Sequence, residues 1–241
     1  MPKLVLVTGA NRGLGFAVLS VAGAREPSTT FILCCRDIEA GINAKSRLRQ
    51  EGVAATIDVL QLDVTNDDQI MTAVKYVAEK YGKLDVLVNN AGIISIIPDY
   101  SLPTLRRCCN EMCSVNIVSV AVVSTAFARL LQKAPKPRVV NITSGLGSIH
   151  NTLTQQISLN RLPATHHTAG LYPKTKSDGY INYYSVAPGL LKTALTNFKD
   201  TGLDPKFGAE VIVELIADDE TKYEGGSQLE FKNGVMKTIP W

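Results

Sequence analysis

The sequence predicts an α/β fold, a single domain over residues 1–241 built on a doubly wound parallel sheet. Three observations lead there. Short aliphatic and β-branched runs recur along the chain, each nearly continuous in its apolarity, as strands covered on both faces must be. Between them lie segments whose apolar positions repeat at helical spacing. The length, 241 residues, suits one α/β domain, which commonly reaches about 250 residues. Strand–helix–strand units in succession join through right-handed crossovers, and ligands of such sheets sit beyond the carboxyl ends of the strands.

Leu4–Val7 is the first strand, and it runs into Thr8-Gly9-Ala10-Asn11-Arg12-Gly13-Leu14-Gly15 at the start of a helix. Glycines there permit positive φ and a close backbone approach to a pyrophosphate, whose charge the free N–H groups of the helix start would stabilise. The spacing departs from G-x-G-x-x-G, so steric need alone explains the turn equally well. Thr30–Leu33 is the second strand, followed by Cys34-Cys35-Arg36-Asp37. Arginine at a strand end suits a 2′-phosphate, which Arg36 and Arg12 would clamp from two sides; this favours NADP. The alternative makes Asp37 a ribose acceptor. Helices are expected over 38–51 and 66–81, stopped by Gly52 and Gly82, with Asp67 and Asp68 set against the helix dipole. Strands follow at Val59–Leu62, Val86–Val88 and Val139–Ile142, and a sixth over Tyr180–Ala187. The apolar stretch Val115–Leu131 is broken by Asn116, several Ser/Thr and Arg129, which favours a buried helix over a membrane span.

Composition narrows the function. Hydrophobic residues make up 45% and charged residues 20%, a globular balance that sets aside disorder and a membrane bundle. The formal charge is +3 with no basic run longer than Arg106-Arg107, so the electrostatic footprint of nucleic-acid binding is missing. A small-molecule partner is expected instead. The five cysteines, Cys34-Cys35, Cys108-Cys109 and Cys113, form no disulfide framework and point to a reducing, cytoplasmic setting. The N-terminal apolar run is too short for a signal peptide, and the final Ile239-Pro240-Trp241 matches no lipidation or peroxisomal signal. His150, His166 and His167 have no partners at ligand spacing, and Cys108-Cys109-x-x-x-Cys113 has no second cluster, so no metal is expected.

Taken together, the motifs resemble the short-chain dehydrogenase/reductase family, and within it a carbonyl-reductase-like branch. Gly9, Asn11, Arg12, Gly13, Leu14 and Gly15 lie in a segment similar to TGxxxGxG, and Asp63-Val64 is similar to the strand-end pair that contacts adenine. Asn89-Asn90-Ala91-Gly92 matches NNAG, and Asn116 the helix asparagine. Ser144 falls at the serine position, Tyr172-Pro173-Lys174-Thr175-Lys176 matches YxxxK, and Pro188-Gly189 with Thr193 matches the segment covering the nicotinamide. The resemblance implies a Rossmann-type fold, an NADP(H) cofactor and reduction of an aldehyde or ketone. It makes Tyr172 the proton donor, Ser144 the partner of the substrate oxygen, Asn116 the anchor of a relay water, and Lys176 the holder of the ribose. A carbonyl taking up hydride gathers negative charge on oxygen, which is why a donor and a positive partner are needed there. Tyrosine ionises near pH ~10, and an ammonium four residues on, on the same helix face, would bring it toward neutrality.

Two departures stand out. Between Ser144 and Tyr172 the chain is longer than the family pattern, and residues 145–171 read as an inserted segment near the substrate mouth, with Ile149, Leu153 and Ile157 spaced for a short amphipathic helix. After Lys176, only Ser177-Asp178-Gly179 precede the expected sixth strand, so the helix that normally carries the Tyr-Lys pair is truncated. That leaves the pair without its scaffold, removes the helix through which many relatives dimerise, and favours a monomer. A non-catalytic dinucleotide-binding protein, or a weakly active shortened form, is the alternative.

Overall fold

Strand after strand, alternate side chains pass to opposite faces, and this divides the core in two. The computed structural model describes residues 2–95, 98–99, 101–145, 181–220, 222–232 and 235–240. Eight strands form one sheet in the order β3-β2-β1-β4-β5-β6-β7-β8: β1 Leu4–Val7, β2 Thr30–Cys35, β3 Thr56–Gln61, β4 Val86–Asn89, β5 Arg138–Ile142, β6 Asn182–Ala187, β7 Gln228–Lys232 and β8 Val235–Ile239. Val5, Val7, Phe31, Leu33, Val88, Val140 and Val186 line one face, covered by α1 (Gly13–Arg25), α2 (Ile38–Gln50) and α6 (Pro205–Ala217). Leu4, Leu6, Ile32, Leu87 and Val139 line the other, beneath α3 (Asp67–Lys80) and α5 (Ser119–Leu131). Burial on both faces is what the continuous apolar strands required.

Side-chain caps open α2 and α3, and the expected glycines close them. Asp37 caps α2 by accepting from the N–H groups of Glu39 and Ala40, at 2.9 and 3.2 Å, and Asn66 caps α3 through the Gln69 N–H at 3.0 Å. Gly52 and Gly82 follow their helices at φ +85° and +75°, a conformation that costs glycine little. The Arg138 guanidinium, buried at the start of β5, donates to the Leu215 carbonyl at 2.8 Å, near the negative end of α6. On the edge strand, Asp58 Oδ2 accepts from Tyr76, Lys80 and Tyr81 of the α3 end.

The structure departs from the expected parallel sheet at its last strand. β7 joins β6 in parallel, but β8 returns antiparallel along the edge. β7 alternates polar with apolar residues, and β8, mostly exposed, sets Lys237 and Thr238 between its apolar ends, so neither has the continuous apolar run that marks the inner strands. The sixth strand begins at Asn182, two residues later than expected. The helix expected over Val115–Leu131 is one part of a longer helical run. α4 (Leu102–Cys113) leads through a π turn, Ser114–Val118, into α5. By length and composition the whole run Leu102–Leu131 could cross a membrane, yet Val123, Phe127, Leu130 and Leu131 pack into the second core. The expected short helix within 145–171 and the truncated end of the Tyr-Lys helix fall outside the described residues, save Gly145 and Ile181.

Candidate active site

The carboxyl ends of β1 and β4 are locked into one piece. The Thr8 hydroxyl accepts from the N–H groups of Asn90 and Ala91, both at 3.0 Å, and donates to the Val88 carbonyl at 3.3 Å. In return the Asn90 amide donates to the carbonyls of Thr8 and Gly9, at 2.7 and 3.1 Å. This lock leaves no space for side chains. A Cβ on Gly9 would stand 2.9 Å from Ala91 Cα, and one on Gly15 would stand 2.5 Å from Asn90 Nδ2. Gly9 and Gly13 also hold φ of +63° and +58°, where a Cβ is strained. Asn11 and Leu14 sit half-buried in the same turn, and Arg12 is exposed.

α1 opens without a capping side chain and without an acidic residue in its first turn. Its first N–H groups therefore point into the space above the glycine turn with the positive end of the helix behind them. The opposite wall is Thr193, buried, whose methyl lies 3.6 Å from where a Gly13 Cβ would be. Pro188 and Gly189, the latter at φ +83°, lead the chain from β6 to that wall. Uncapped backbone donors at the start of a helix, above a turn of glycines, fit the pyrophosphate of a dinucleotide.

The two neighbouring strand ends supply charge. Arg36 is exposed beyond β2, whereas the Asp37 carboxylate is engaged in capping α2. Asp63, beyond β3, is partly buried, which opposes its charge. Hydrogen bonds from the Thr65 N–H and hydroxyl, at 2.9 and 2.7 Å, together with the Arg36 charge, nonetheless hold its carboxyl below the usual range. Val64 beside it is buried.

Asn116 sits in the π turn and faces the loop after β4. Its Oδ1 accepts from the Ile93 N–H at 2.9 Å and its Nδ2 donates to the Ile93 carbonyl at 2.8 Å. It also approaches Gly92, where a Cβ would stand 3.3 Å from Asn116 Oδ1. Asn89 and Asn141 are in register on β4 and β5, so Gly92 and Ser144 each lie three residues beyond one level of the sheet. Beneath them Asn89 donates to Ser124 Oγ and Asn141 Oδ1, both at 2.9 Å, in a buried network. Of the expected site residues, the structure gathers the glycine turn, Asn90, Ala91, Gly92, Asn116 and Thr193 round one cleft, with Arg36, Asp63 and Ser144 at adjoining strand ends. Tyr172 and Lys176 lie outside the described residues. Thr8 and Asn89, which stand in the quoted motifs, and Asn141, near the end of the fifth strand, carry no role of their own in the sequence reading; the structure gives Thr8 the β1–β4 lock and the two asparagines the buried network. Among the described residues no group of His, Cys, Asp and Glu gathers as a metal site.

Comparison with known proteins agrees with this layout. The short chain dehydrogenase family profile matches residues 3–203. A short-chain dehydrogenase/reductase of Aspergillus fumigatus is 46% identical over 255 aligned positions, covering 99% of this chain and 97% of that protein. That span exceeds the 241 residues here, so the alignment leaves at least 14 positions without a counterpart in this chain (255 less 241). The (+)-neomenthol dehydrogenase of Arabidopsis thaliana is 31% identical over 64% of this chain and 57% of its own length. Among solved structures, the NADPH-bound carbonyl reductase from chicken fatty liver superposes with a TM-score of 0.78 at 23% identity, covering 100% of this chain and 99% of that one. Salutaridine reductase from Papaver somniferum gives 0.71 at 21%, covering 94% and 99%. At such identities the structures share the fold.

Proposed function

The chain belongs to the short-chain dehydrogenase family of oxidoreductases, and from that premise we propose that it is an NADPH-dependent reductase of aldehydes or ketones, of the carbonyl-reductase-like kind. A nicotinamide dinucleotide, when bound, supplies the hydride. The glycine turn from Gly9 to Gly15 and the first turn of α1 bind its pyrophosphate. Arg12 and Arg36 take the 2′-phosphate, Asp63 and Val64 meet the adenine, and Asn90 to Gly92 with Pro188, Gly189 and Thr193 enclose the remainder. Ser144 donates a hydrogen bond to the substrate oxygen, Tyr172 gives that oxygen a proton, and Lys176 lowers the cost of the phenolate left behind while holding the ribose. Asn116, whose amide is engaged with Ile93, serves the relay by fixing the loop beside which the water stands.

The observation that carries the proposal is the convergence at one sheet edge of an anion cradle, the Asn116 turn and the strand end bearing Ser144. Preference for NADPH draws on the capping role of Asp37, which leaves Arg36 as the charge facing the ribose. Oxidation of NADPH with a nitrobenzaldehyde tests the activity: turnover lost in Tyr172→Phe is expected, and turnover retained there refutes the assignment. Arg36→Ala should raise KM for NADPH about tenfold, the loss of one charge-assisted contact, with KM for NADH unchanged. The proposed setting is cytoplasmic and monomeric, with elution near 26.0 kDa as the check.

One observation favours the second reading, a dinucleotide-binding protein of weak or no activity. Asn182 is in register with Arg138, six residues back along the chain from Ser144. Six strand rises amount to about 20 Å. The six steps from Lys176 to Asn182 reach about 20–22 Å fully extended and only about 9 Å as helix. A lysine level with Ser144 thus needs that link nearly straight. NADPH binding without turnover would support this second reading.

A further inference from the structure

Gln228 opens β7 opposite Ser185 and is 1% exposed. A glutamine so deep is expected to place both ends of its amide on partners. Its Nε2 donates to the Ser144 carbonyl at 3.3 Å, while its Oε1 is buried with no partner among the described residues. Ser144 lies two residues beyond the last residue of β5, just past the Thr143 N–H that donates to the Val186 carbonyl at 2.8 Å. The Gln228 bond thus reaches the Ser144 peptide from a strand two places away in the sheet, through a side chain. A buried amide with an orphaned oxygen is costly where an aliphatic residue would pack. The bond this amide makes to the Ser144 carbonyl is what offsets that cost.

We infer that Gln228 is a positioning residue for Ser144: by holding the Ser144 peptide it sets the direction in which the Ser144 hydroxyl meets the substrate oxygen. This rests on the role proposed above for Ser144. Gln228→Met keeps the length and removes the donor; Gln228→Leu removes it with a side chain that packs as an aliphatic. Full-length wild type and both variants are compared by kcat and KM for the aldehyde, Kd for NADPH, melting temperature and backbone amide exchange over residues 143–145. The expected result is a fall in kcat of about 3- to 10-fold, shared equally by kcat/KM, with faster exchange at 143–145 and NADPH affinity unchanged. A merely structural role would instead lower the melting temperature and NADPH affinity together, or leave kcat untouched, and either result overturns the inference. Should Gln228→Met fail to fold, Gln228→Leu carries the same comparison. If the wild type reduces no aldehyde, the reductase reading fails by itself. Exchange then decides the tie: faster exchange in the variants upholds it and unchanged exchange overturns it.

Discussion

Replacing Gly9 by alanine, with Gly13→Ala as an internal control, tests the cradle through a difference. Both glycines hold left-handed φ, +63° and +58°, which destabilises an alanine by about 1–2 kcal/mol. Only Gly9 adds a collision. Its new methyl would stand 2.9 Å from Ala91 Cα, and that backbone cannot retreat without breaking the Ala91 N–H bond to Thr8. Overpacking of this kind costs about 1–3 kcal/mol more. At Gly13 the nearest atom is the Thr193 methyl at 3.6 Å, an ordinary contact. For a chain of this size each kcal/mol lowers Tm by about 2–4 °C. Gly13→Ala should therefore lose about 2–8 °C, and Gly9→Ala about twice as much. Thermal unfolding followed by circular dichroism measures both. Repeating it with NADPH at about 100 times Kd should stabilise the wild type by about 2.7 kcal/mol and Gly9→Ala hardly at all. Equal losses in the two variants, or normal stabilisation of Gly9→Ala by NADPH, would refute the reasoning.

Three further outcomes are expected. Burial opposes ionisation of Asp58, but hydrogen bonds from Lys80, Tyr81 and Tyr76 hold its carboxyl below the ordinary value. A depressed folded-state pKa stabilises the fold above the unfolded carboxylate's pKa of about 3.9 and ceases to do so as pH falls through the folded value. Between about pH 5 and pH 3, Tm should thus drop more steeply for wild type than for Asp58→Asn, and parallel curves would count against the clamp. Thiol labelling with Ellman's reagent should modify exposed Cys113 first and half-buried Cys109 more slowly. Cys34, whose thiol is pushed up by burial, and its neighbour Cys35 should stay silent until denaturant is added. Asn89→Leu leaves the buried Ser124 and Asn141 without their donor. It should cost about 2–6 kcal/mol by urea unfolding, at about 1–3 kcal/mol for each of the two orphaned groups.

The inner strands were legible because burial on both faces imposes one simple requirement, which Leu4–Val7 and Val86–Val88 meet without interruption. β7 and β8 escaped because polar residues interrupt both runs, Gln228, Glu230 and Lys232 in one and Lys237-Thr238 in the other, and such mixed segments also suit loops. The glycine turn was readable for a similar reason, since positive φ and a 2.9 Å approach leave few residue types possible. Nothing comparable marks Gln228, the bonds that Thr8 makes or those from Asn116 to Ile93. Their roles arise from pairings between distant positions, and threonine, glutamine and asparagine occur in many other settings. The π turn was hidden likewise, because Ser114–Val118 carries no residue type that an ordinary helix turn would refuse. Asp37 shows the converse. Its position allowed two roles, and the cap on α2 became visible only with the bonds to Glu39 and Ala40.

The contact between Thr193 and Gly13 joins stretches of chain 180 positions apart without any covalent or strand-to-strand link. A ligand resting on both would have to be released before the Thr193 segment could peel away, so occupancy should tie that segment to the locked ends of β1 and β4. Limited proteolysis within residues 190–207 would then slow on adding nucleotide, even though the bonds being cut lie outside the glycine turn.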